Sequence, residues 1–414
     1  MPEPIKIEEV KERVILVGVS EQDGDDAEDS VAELAELVKT AGAVTVGTLI
    51  QKRELIHPGT YVGTGKVQEI ADMIAELGAT GIVCDDELSP AQLKNLEQML
   101  DTKVMDRTLI ILDIFAARAT TSEGKIQVEL AQLKYRQSQL TGAGRAMSRL
   151  GGGIGTRGPG EKKLEMDRRL IRERISRLKK ELKDVERHRE LIRGQRKQSG
   201  LKVAALVGYT SAGKSSIENA LTQAGVLEDA MLFSTLDTTT RALTLDNTQE
   251  ILLTDTVGFI NKLPHHLVEA FKSTLEEAKY ADIIVHVVDA SNPQMDAQMH
   301  VVYETLRQLG AEGKPVITLF NKQDKVENPV NYKDLQADYS IATSAKTGQG
   351  LEEFKHALLE IIRKEQIYIE RLYDFSEAGK IQLIRSKGQL LSEEYVPEGI
   401  EVKAYVPQDI YGRL

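Results

Sequence analysis

Short apolar runs alternate with helix-like segments over the first 115 residues. The runs RVILVGV (13–19), AVTVGTLI (43–50) and GIVCDD (81–86) predict strands. Residues 29–40, residues 66–77 and the segment SPAQLKNLEQML, which has Ser89 as its N-cap, show helical periodicity. Because strands and helices alternate, this part of the chain predicts an α/β domain with a mostly parallel sheet.

From about residue 116 to residue 199 the pattern is helical on both sides of a glycine-rich stretch, GGGIGTRGPGE (151–161). Past this stretch, apolar residues recur with the spacing of a heptad seam: Ile171, Ile175, Leu178, Leu182, Val185 and Ile192. A matching stripe precedes it: Ile126, Leu130, Leu133 and Leu140. The pattern predicts an antiparallel helical hairpin with the glycine-rich loop at its tip.

A new apolar strand, LKVAALV (201–207), opens a second α/β region that runs to about residue 365. The last fifty residues alternate like short strands. The predicted fold class is therefore α/β in four domains. These are an N-terminal α/β domain (1–115), the basic hairpin (116–199), a doubly wound nucleotide-binding domain (200–365) and a small β-rich domain (366–414).

Composition limits which cellular compartment and which kind of binding partner we expect. No run of about eighteen uncharged apolar residues exists, the acidic N-terminus lacks a signal-peptide layout, and Cys84 is the only cysteine. We therefore expect a cytoplasmic protein with no membrane span and no intramolecular disulfide. The net charge of −11 is uneven: residues 118–197 hold 22 basic and 10 acidic residues, a balance of +12 that leaves −23 elsewhere. This asymmetry indicates a basic element aimed at a polyanion.

The chemistry lies in the second α/β region. GYTSAGKS (208–215) is a phosphate-loop motif between an apolar strand and a helical pattern. Its backbone N–H groups should surround phosphates, Lys214 should reach the β- and γ-phosphates, and Ser215 should bind Mg²⁺. Asp255, at the end of the strand in EILLTDTVG, should hold a Mg²⁺-bound water, and Gly258 leaves room for the γ-phosphate.

Two further loops select the base. In NKQD (321–324), Asp324 can accept hydrogen bonds from both N1–H and N2–H₂ of guanine, which adenine lacks. The loop Ser344-Ala345-Lys346 can support the base at O6. In this order, each at a strand end, the motifs predict a GTPase.

Two positions govern hydrolysis. A threonine must close over Mg²⁺ and the γ-phosphate, and the segment FSTLDTTTR (233–241) offers Thr235, Thr238, Thr239 and Thr240. Many GTPases carry a water-orienting glutamine where this chain has Phe259, which cannot orient water by hydrogen bonding. Unless a glutamine elsewhere takes that role, hydrolysis should be slow until a partner assists it.

With these motifs in place, the sequence resembles the HflX family of ribosome-associated translational GTPases over almost its whole length. The matching stretches include PGTYVGTGKVQEI, DDELSPAQLKNLE, VMDRTLIILDIFAARA, GGGIGTRGPGEKKLE, GYTSAGKSS, FSTLDTTTR and DTVGF. The resemblance implies a cytoplasmic GTPase that uses GTP/GDP and Mg²⁺ and binds the large ribosomal subunit, through rRNA and ribosomal proteins. Some members split stalled or idle ribosomes under stress. We expect a monomer, and peripheral association with a membrane stays open.

Residue by residue, the resemblance places the Mg²⁺ ligands at Ser215 and Thr235 and the catalytic groups at Lys214, Thr235 and Gly258. The nucleotide-binding positions are Gly208, Tyr209, Thr210, Ser211, Ala212, Gly213, Lys214, Ser215, Phe233, Ser234, Thr235, Leu236, Asp237, Asp255, Thr256, Val257, Gly258, Asn321, Lys322, Gln323, Asp324, Ser344, Ala345 and Lys346. The chain departs from the family pattern at Ser211, Ser216 and Glu218.

Three other motifs have competing interpretations. GGGIGTRG contains G-x-G-x-x-G but follows a helix rather than a strand, which argues against a dinucleotide site and an oxidoreductase. We expect it to reach RNA instead, with Arg145, Arg149 and Arg157 as contacts. Gly63-Thr64-Gly65-Lys66 resembles a phosphate loop but lacks its full span and the Ser or Thr after the lysine, so we expect a turn before a helix. Asp85-Asp86-Glu87 could hold a metal ion, but three adjacent carboxylates point in different directions, so we expect a solvated turn.

The leading function is a GTPase that couples its cycle to ribosome dissociation or recycling. The alternative is a GTP-dependent regulatory or assembly factor acting on RNA or the ribosome, in which hydrolysis is only a slow timer.

Overall fold

The structure, a computed structural model, describes residues 11–21, 27–148, 159–199, 201–222, 232–233, 236, 238–245, 249–262, 267, 272–327 and 332–414. The chain divides into two compact units. The first comprises Met1–Val185, Met231–Phe233 and Asn261–Lys272, and the second comprises Glu186–Ala230, Ser234–Ile260 and Ser273–Leu414. Within the described ranges, no helix is long and apolar enough to cross a membrane. The division into four domains stays a prediction.

A four-stranded parallel sheet of order β2-β1-β3-β4 forms the centre of the first unit. Its elements are β1 (Arg13–Ser20), α1 (Ala27–Thr40), β2 (Val44–Lys52), α2 (Thr64–Leu77), β3 (Gly81–Cys84), α3 (Pro90–Leu100), β4 (Lys103–Asp106) and α4 (Arg107–Arg118). β1 is buried from Val14 to Ser20, as expected for a central strand covered on both faces. Ser89 caps α3 by accepting a hydrogen bond from the backbone N–H of Gln92, so this prediction is confirmed.

Two long helices follow: α5 (Ser122–Ser148) and α6 (Pro159–Ser199). The predicted seam joins them, with a buried cluster of Leu130, Ile175 and Leu178. Arg174 forms an ion pair with Glu129, with 2.7 Å between Nε and Oε1. The loop between the helices lies outside the described residues, and the boundary between the two units falls within α6.

The second unit contains a six-stranded sheet of order β10-β9-β8-β5-β7-β6, in which only β6 runs antiparallel to its neighbour. Its elements are β5 (Lys202–Gly208), α7 (Lys214–Thr222), β6 (Thr239–Thr244), β7 (Glu250–Asp255), α8 (Lys272–Tyr280), β8 (Ile283–Asp289), α9 (Met295–Leu309), β9 (Val316–Asn321), a 3-10 turn (Gln323–Lys325), β10 (Tyr339–Ala342) and α10 (Leu351–Lys364). Because the central strands are parallel, their carboxyl ends meet at one edge, where ligands bind in open α/β sheets.

The predicted β-rich C-terminal segment forms a three-stranded antiparallel sheet of order β11-β13-β12. Its elements are β11 (Gln366–Tyr373), a 3-10 turn (Phe375–Glu377), α11 (Ala378–Lys387), β12 (Gln389–Val396), β13 (Gly399–Pro407) and α12 (Gln408–Tyr411). Along β13, buried Val402, Ala404 and Val406 alternate with more exposed residues. This period of two matches a sheet with one face on a core and the other toward solvent.

Candidate nucleotide-binding site

The phosphate loop connects β5 to α7, as the motif predicts. Gly213 has a φ of +97°, and a Cβ there would lie 2.3 Å from Nδ2 of Asn321, so both conformation and space require glycine. The amide of Asn321 in turn donates to the carbonyl oxygen of Ala212 at 2.9 Å. The loop is therefore held in shape by a residue of the predicted base-binding motif.

Lys214 is buried at the start of α7. Its ammonium donates to the carbonyl oxygens of Gly208 at 3.2 Å and Tyr209 at 3.0 Å. Burial lowers the pKa of Lys214 to about 8, although the charge of Asp255 acts in the opposite direction. Its position in the loop fits the predicted contact with phosphate, since an anion favours the charged form of the lysine.

Ser215 and Asp255 provide the oxygen atoms that a divalent cation requires. The Ser215 hydroxyl donates to Oδ2 of Asp255 at 2.7 Å, and Asp255 is buried at the end of β7. Hydroxyl and carboxylate oxygens are hard donors of the kind that Mg²⁺ prefers, so the pair fits this ion. The other predicted ligand, Thr235, lies outside the described residues.

Gly258 comes close to the phosphate loop. A Cβ at Gly258 would lie 2.9 Å from Nζ of Lys214 and 2.9 Å from Cα of Thr210. The next residue, Phe259, is buried and bonded through its backbone: Thr210 N–H donates to its carbonyl at 2.8 Å, and its own N–H donates to Gly208 at 3.1 Å. A buried phenyl ring has no group with which to orient water, as the sequence predicts.

The base-binding loops also come together. The side chain of Asn321 accepts from the backbone N–H of Ala345 at 3.1 Å. Ser344 donates to Oδ1 of Asp324 at 2.7 Å, and this bond lowers the pKa of Asp324. An ionised Asp324 is the form that accepts two hydrogen bonds from guanine.

Two residues of this region were not assigned a role from the sequence. Asp289 ends β8 and pairs with Lys322 of the base-binding motif, with 2.6 Å between Oδ2 and Nζ. Its position at a strand end beside Asn321 was an available signal. Glu218, noted only as a departure from the family pattern, is buried on α7 and accepts from Thr239 of β6 at 2.9 Å.

The structure thus brings together residues 208–215, 255–258, 321–324 and 344–346. Ser234, Thr235, Asp237, Arg149 and Arg157 lie outside the described residues, as does the side chain of Arg145. Phe233 belongs to the first unit, where its ring contacts Phe115 edge-to-face at a centroid distance of 4.7 Å. Leu236 is buried.

The structure also tests the remaining motifs of the first unit. Gly63 precedes α2 as its N-cap residue, and Lys66 pairs with Glu69, so the turn predicted there is confirmed. The solvated turn predicted at residues 85–87 is wrong for Asp85. Its side chain is buried and pairs with Arg107, because a cation from a neighbouring element compensates the carboxylate.

A strand, phosphate loop and helix, next to a base site built from Asn-Lys-x-Asp, define a P-loop GTPase. The chain matches three family descriptions: "GTP-binding GTPase N-terminal" over residues 28–116, "GTP-binding GTPase Middle Region" over 118–196, and "50S ribosome-binding GTPase" over 203–322.

Similar proteins match this chain over nearly all of its residues. The chain is 64% identical to GTPase HflX of Lacrimispora saccharolytica, over all of this chain and 98% of that protein. It is 46% identical to GTPase HflX of Caldanaerobacter subterraneus subsp. tengcongensis, over 98% of this chain and 93% of that protein. Among solved structures, it is similar to a GTP-binding protein from Sulfolobus solfataricus in complex with GDP (24% identity, TM-score 0.45, covering 85% of this chain and 99% of that one). The chain belongs to the HflX family of ribosome-associated GTPases, and it binds and hydrolyses GTP.

Proposed function

We propose that this GTPase binds the large ribosomal subunit and couples GTP binding and hydrolysis to the dissociation or recycling of stalled or idle ribosomes. One observation carries the proposal: Phe259 offers no group to orient water, in a chain that also has a strongly basic hairpin. A GTPase of this kind needs a partner to complete its reaction. A basic hairpin suits a partner made of RNA.

The hairpin supports an RNA partner through its exposed cations. Along α6, exposed basic residues recur over several turns: Arg169, Arg172, Arg177, Lys179, Lys180, Lys183 and Arg187. We propose that this helix tracks phosphates, and that Arg145, Arg149 and Arg157 contact phosphates or stack on unpaired bases. Cytoplasmic location and a monomeric state belong to the same proposal.

At the nucleotide, Ser215 and Thr235 would ligate Mg²⁺, and Asp255 would hold one of its waters. The ion would supply positive charge beside the β- and γ-phosphates. Lys214 adds a second positive charge from the phosphate loop. Gly258, which has no Cβ, leaves space beside Lys214, and its N–H is the donor that we assign to the γ-phosphate.

The test is the GTPase rate measured alone, with purified large subunits and with purified small subunits. We expect large subunits to accelerate turnover on the order of a hundredfold or more, since assisted GTPases gain that much or more from a partner. Small subunits serve as the control for non-specific polyanion effects. If large subunits leave the rate unchanged, the proposal is wrong and the alternative, a regulatory or assembly factor with a slow timer, is favoured.

Light scattering distinguishes a role in ribosome dissociation from ribosome binding alone. Intact ribosomes mixed with the protein should lose scattered intensity with GTP and with a non-hydrolysable analogue, but not with GDP. Subunit-stimulated turnover without any loss of scattering would support ribosome binding and would contradict a role in dissociation.

A further inference from the structure

Two short segments from the sequence of the GTPase region belong to the first unit. They are Met231–Phe233 and Asn261–Lys272. The first directly precedes the segment that contains Thr235. The second begins three residues after Gly258. The chain therefore connects both nucleotide-sensing segments to the first unit within a few residues.

In the described part of the second segment, Lys262 makes two ion pairs. Its ammonium lies 2.6 Å from Oδ2 of Asp85 and 2.8 Å from Oδ1 of Asp86. The backbone of Lys262 has a φ of +53°, a conformation that non-glycine residues adopt only when surrounding contacts hold them. Burial alone would lower the pKa of Lys262, but the two carboxylates raise it, so the ion pair keeps its charge.

The carboxylates that receive Lys262 are themselves fixed. Oδ1 of Asp85 accepts from Arg107 at 2.6 Å, and its Oδ2 accepts from Ser30 at 2.7 Å. Asp86 accepts from the hydroxyl of buried Tyr61 at 2.6 Å. Lys262 therefore enters a prebuilt acidic position at the carboxyl end of β3. Tyr61, Asp85 and Asp86, which the GTP site leaves unexplained, supply this position.

One helix, α4, takes part in both attachments. α4 begins with Arg107, which forms an ion pair with Asp85. Further along the same helix, Phe115 contacts Phe233. Phe233 is thus in direct contact with α4, and Lys262 is linked to it through Asp85.

We propose that Asp85 and Asp86 are positioning residues for GTP hydrolysis, because they hold Lys262 and so fix the backbone of Gly258 and Phe259 in a productive geometry. Phe259 cannot orient water through its side chain, so the reaction depends on where this backbone lies. The inference concerns the reaction of the isolated protein and does not require ribosome binding.

The test replaces Lys262 by methionine, which keeps the aliphatic stem and removes the charge. We expect kcat for GTP to fall about ten- to hundredfold, the range for a small misplacement caused away from the reacting atoms. The KM for GTP and the Kd for GDP should change by less than about twofold, since the anchor does not touch nucleotide. Lys262→Arg should restore most of the rate.

Lys66→Met is the matched control. Lys66 also lies in the first unit, pairs with Glu69 at 2.6 Å and is exposed to 32%, against 34% for Lys262. Its loss should leave kcat unchanged. An equal fall in both variants would show a general effect of lost charge and would overturn the proposal.

Asp86→Asn provides the partner variant, since removing Asp85 would leave buried Arg107 without its carboxylate. If the ion pair is the cause, Asp86→Asn should lower kcat less than Lys262→Met, and the double variant should be no slower than Lys262→Met alone. If the two substitutions lowered kcat independently, so that the fold-losses multiplied in the double variant, the proposal would be contradicted. So would an unchanged kcat in Lys262→Met, or a rise in KM with kcat intact. If Lys262→Met does not fold, the kcat and KM of Asp86→Asn decide the question.

Discussion

At the residue scale, Glu218 is a carboxyl group in a buried position. It is buried on α7, and Thr239, its hydrogen-bond donor, pairs across the sheet with Asp255. Burial, followed by the negative charge of Asp255, raises the pKa of Glu218 to about 7. The folded protein therefore favours the neutral acid at a pH where the unfolded chain is ionised.

The sign of the pH dependence follows from this shift. The unfolded chain releases the proton of Glu218 near pH 4.5, and the folded protein retains it until about pH 7. Stability therefore falls as pH rises through this window. Glu218→Gln, which does not titrate, should exceed the wild type by less than about 1 kcal/mol near pH 5 and by up to about 3 kcal/mol at pH 8.

Thermal melting of nucleotide-free protein in a metal chelator measures this difference. Glu353→Gln, at an exposed position of α10, is the control and should change stability by less than about 0.5 kcal/mol at either pH. A gain for Glu218→Gln that is the same at pH 5 and pH 8 would show that the carboxyl does not titrate in this window.

At the element scale, the hairpin depends on a narrow seam. Leu178 of α6 is fully buried in a cluster with Leu130 and Ile175, and most of the surrounding surface is charged. A short apolar seam has few neighbouring side chains that could close over the space left by a truncated residue, and the remaining hole adds to the cost.

Leu178→Ala should therefore destabilise the hairpin by about 2–4 kcal/mol. Hydrogen exchange, followed by mass spectrometry, should show faster exchange of the α5 and α6 amides, with the strands around the phosphate loop unaffected. Leu170→Ala, at an exposed site on the same helix, is the comparison and should exchange like the wild type. Equal exchange in the two variants would mean that the seam does not hold the helices.

Structural elements that depend on neighbouring residues in the chain could be predicted from the sequence. The strands β1, β2, β3 and β5, the cap at Ser89 and the phosphate loop depend on residues within one segment, so the sequence pattern contains what determines them. The pairing of Lys262 with Asp85 spans 177 residues, and no local pattern encodes it. The burial of Asp85 was predicted wrongly because Arg107, the cation that compensates it, lies 22 residues further along the chain and outside the local pattern.

At the scale of the whole molecule, charge is segregated. Residues 118–197 carry +12 and the remainder −23, so a polyanion would be attracted to the first region and repelled by the rest of the chain. Such an arrangement favours one docking orientation on a polyanion and disfavours others. Binding to the large subunit should therefore weaken steeply with salt.

Changing Arg145, Arg149 and Arg157 together to glutamine tests this expectation. Affinity for the large subunit should fall, and the slope of log K against log salt concentration should flatten by about one unit for each arginine that no longer neutralises a phosphate. Affinity for GTP should not change. Sedimentation binding across a salt series measures the slope, and an unchanged subunit affinity would remove these arginines from the interface.

The ion pairs of Lys262 also affect the order in which contacts can form during synthesis of the chain. The sheet of the first unit lies within the first 106 residues, so it can form early in synthesis. The ion pairs of Asp85 and Asp86 with Lys262 can form only later, after the chain has been synthesised as far as residue 262. A fragment that ends at Ser199 would lack this counter-charge beside Asp85 and Asp86. The first compact unit is therefore not contiguous in sequence, because Asn261–Lys272 also belongs to it and supplies the cation that faces Asp85 and Asp86.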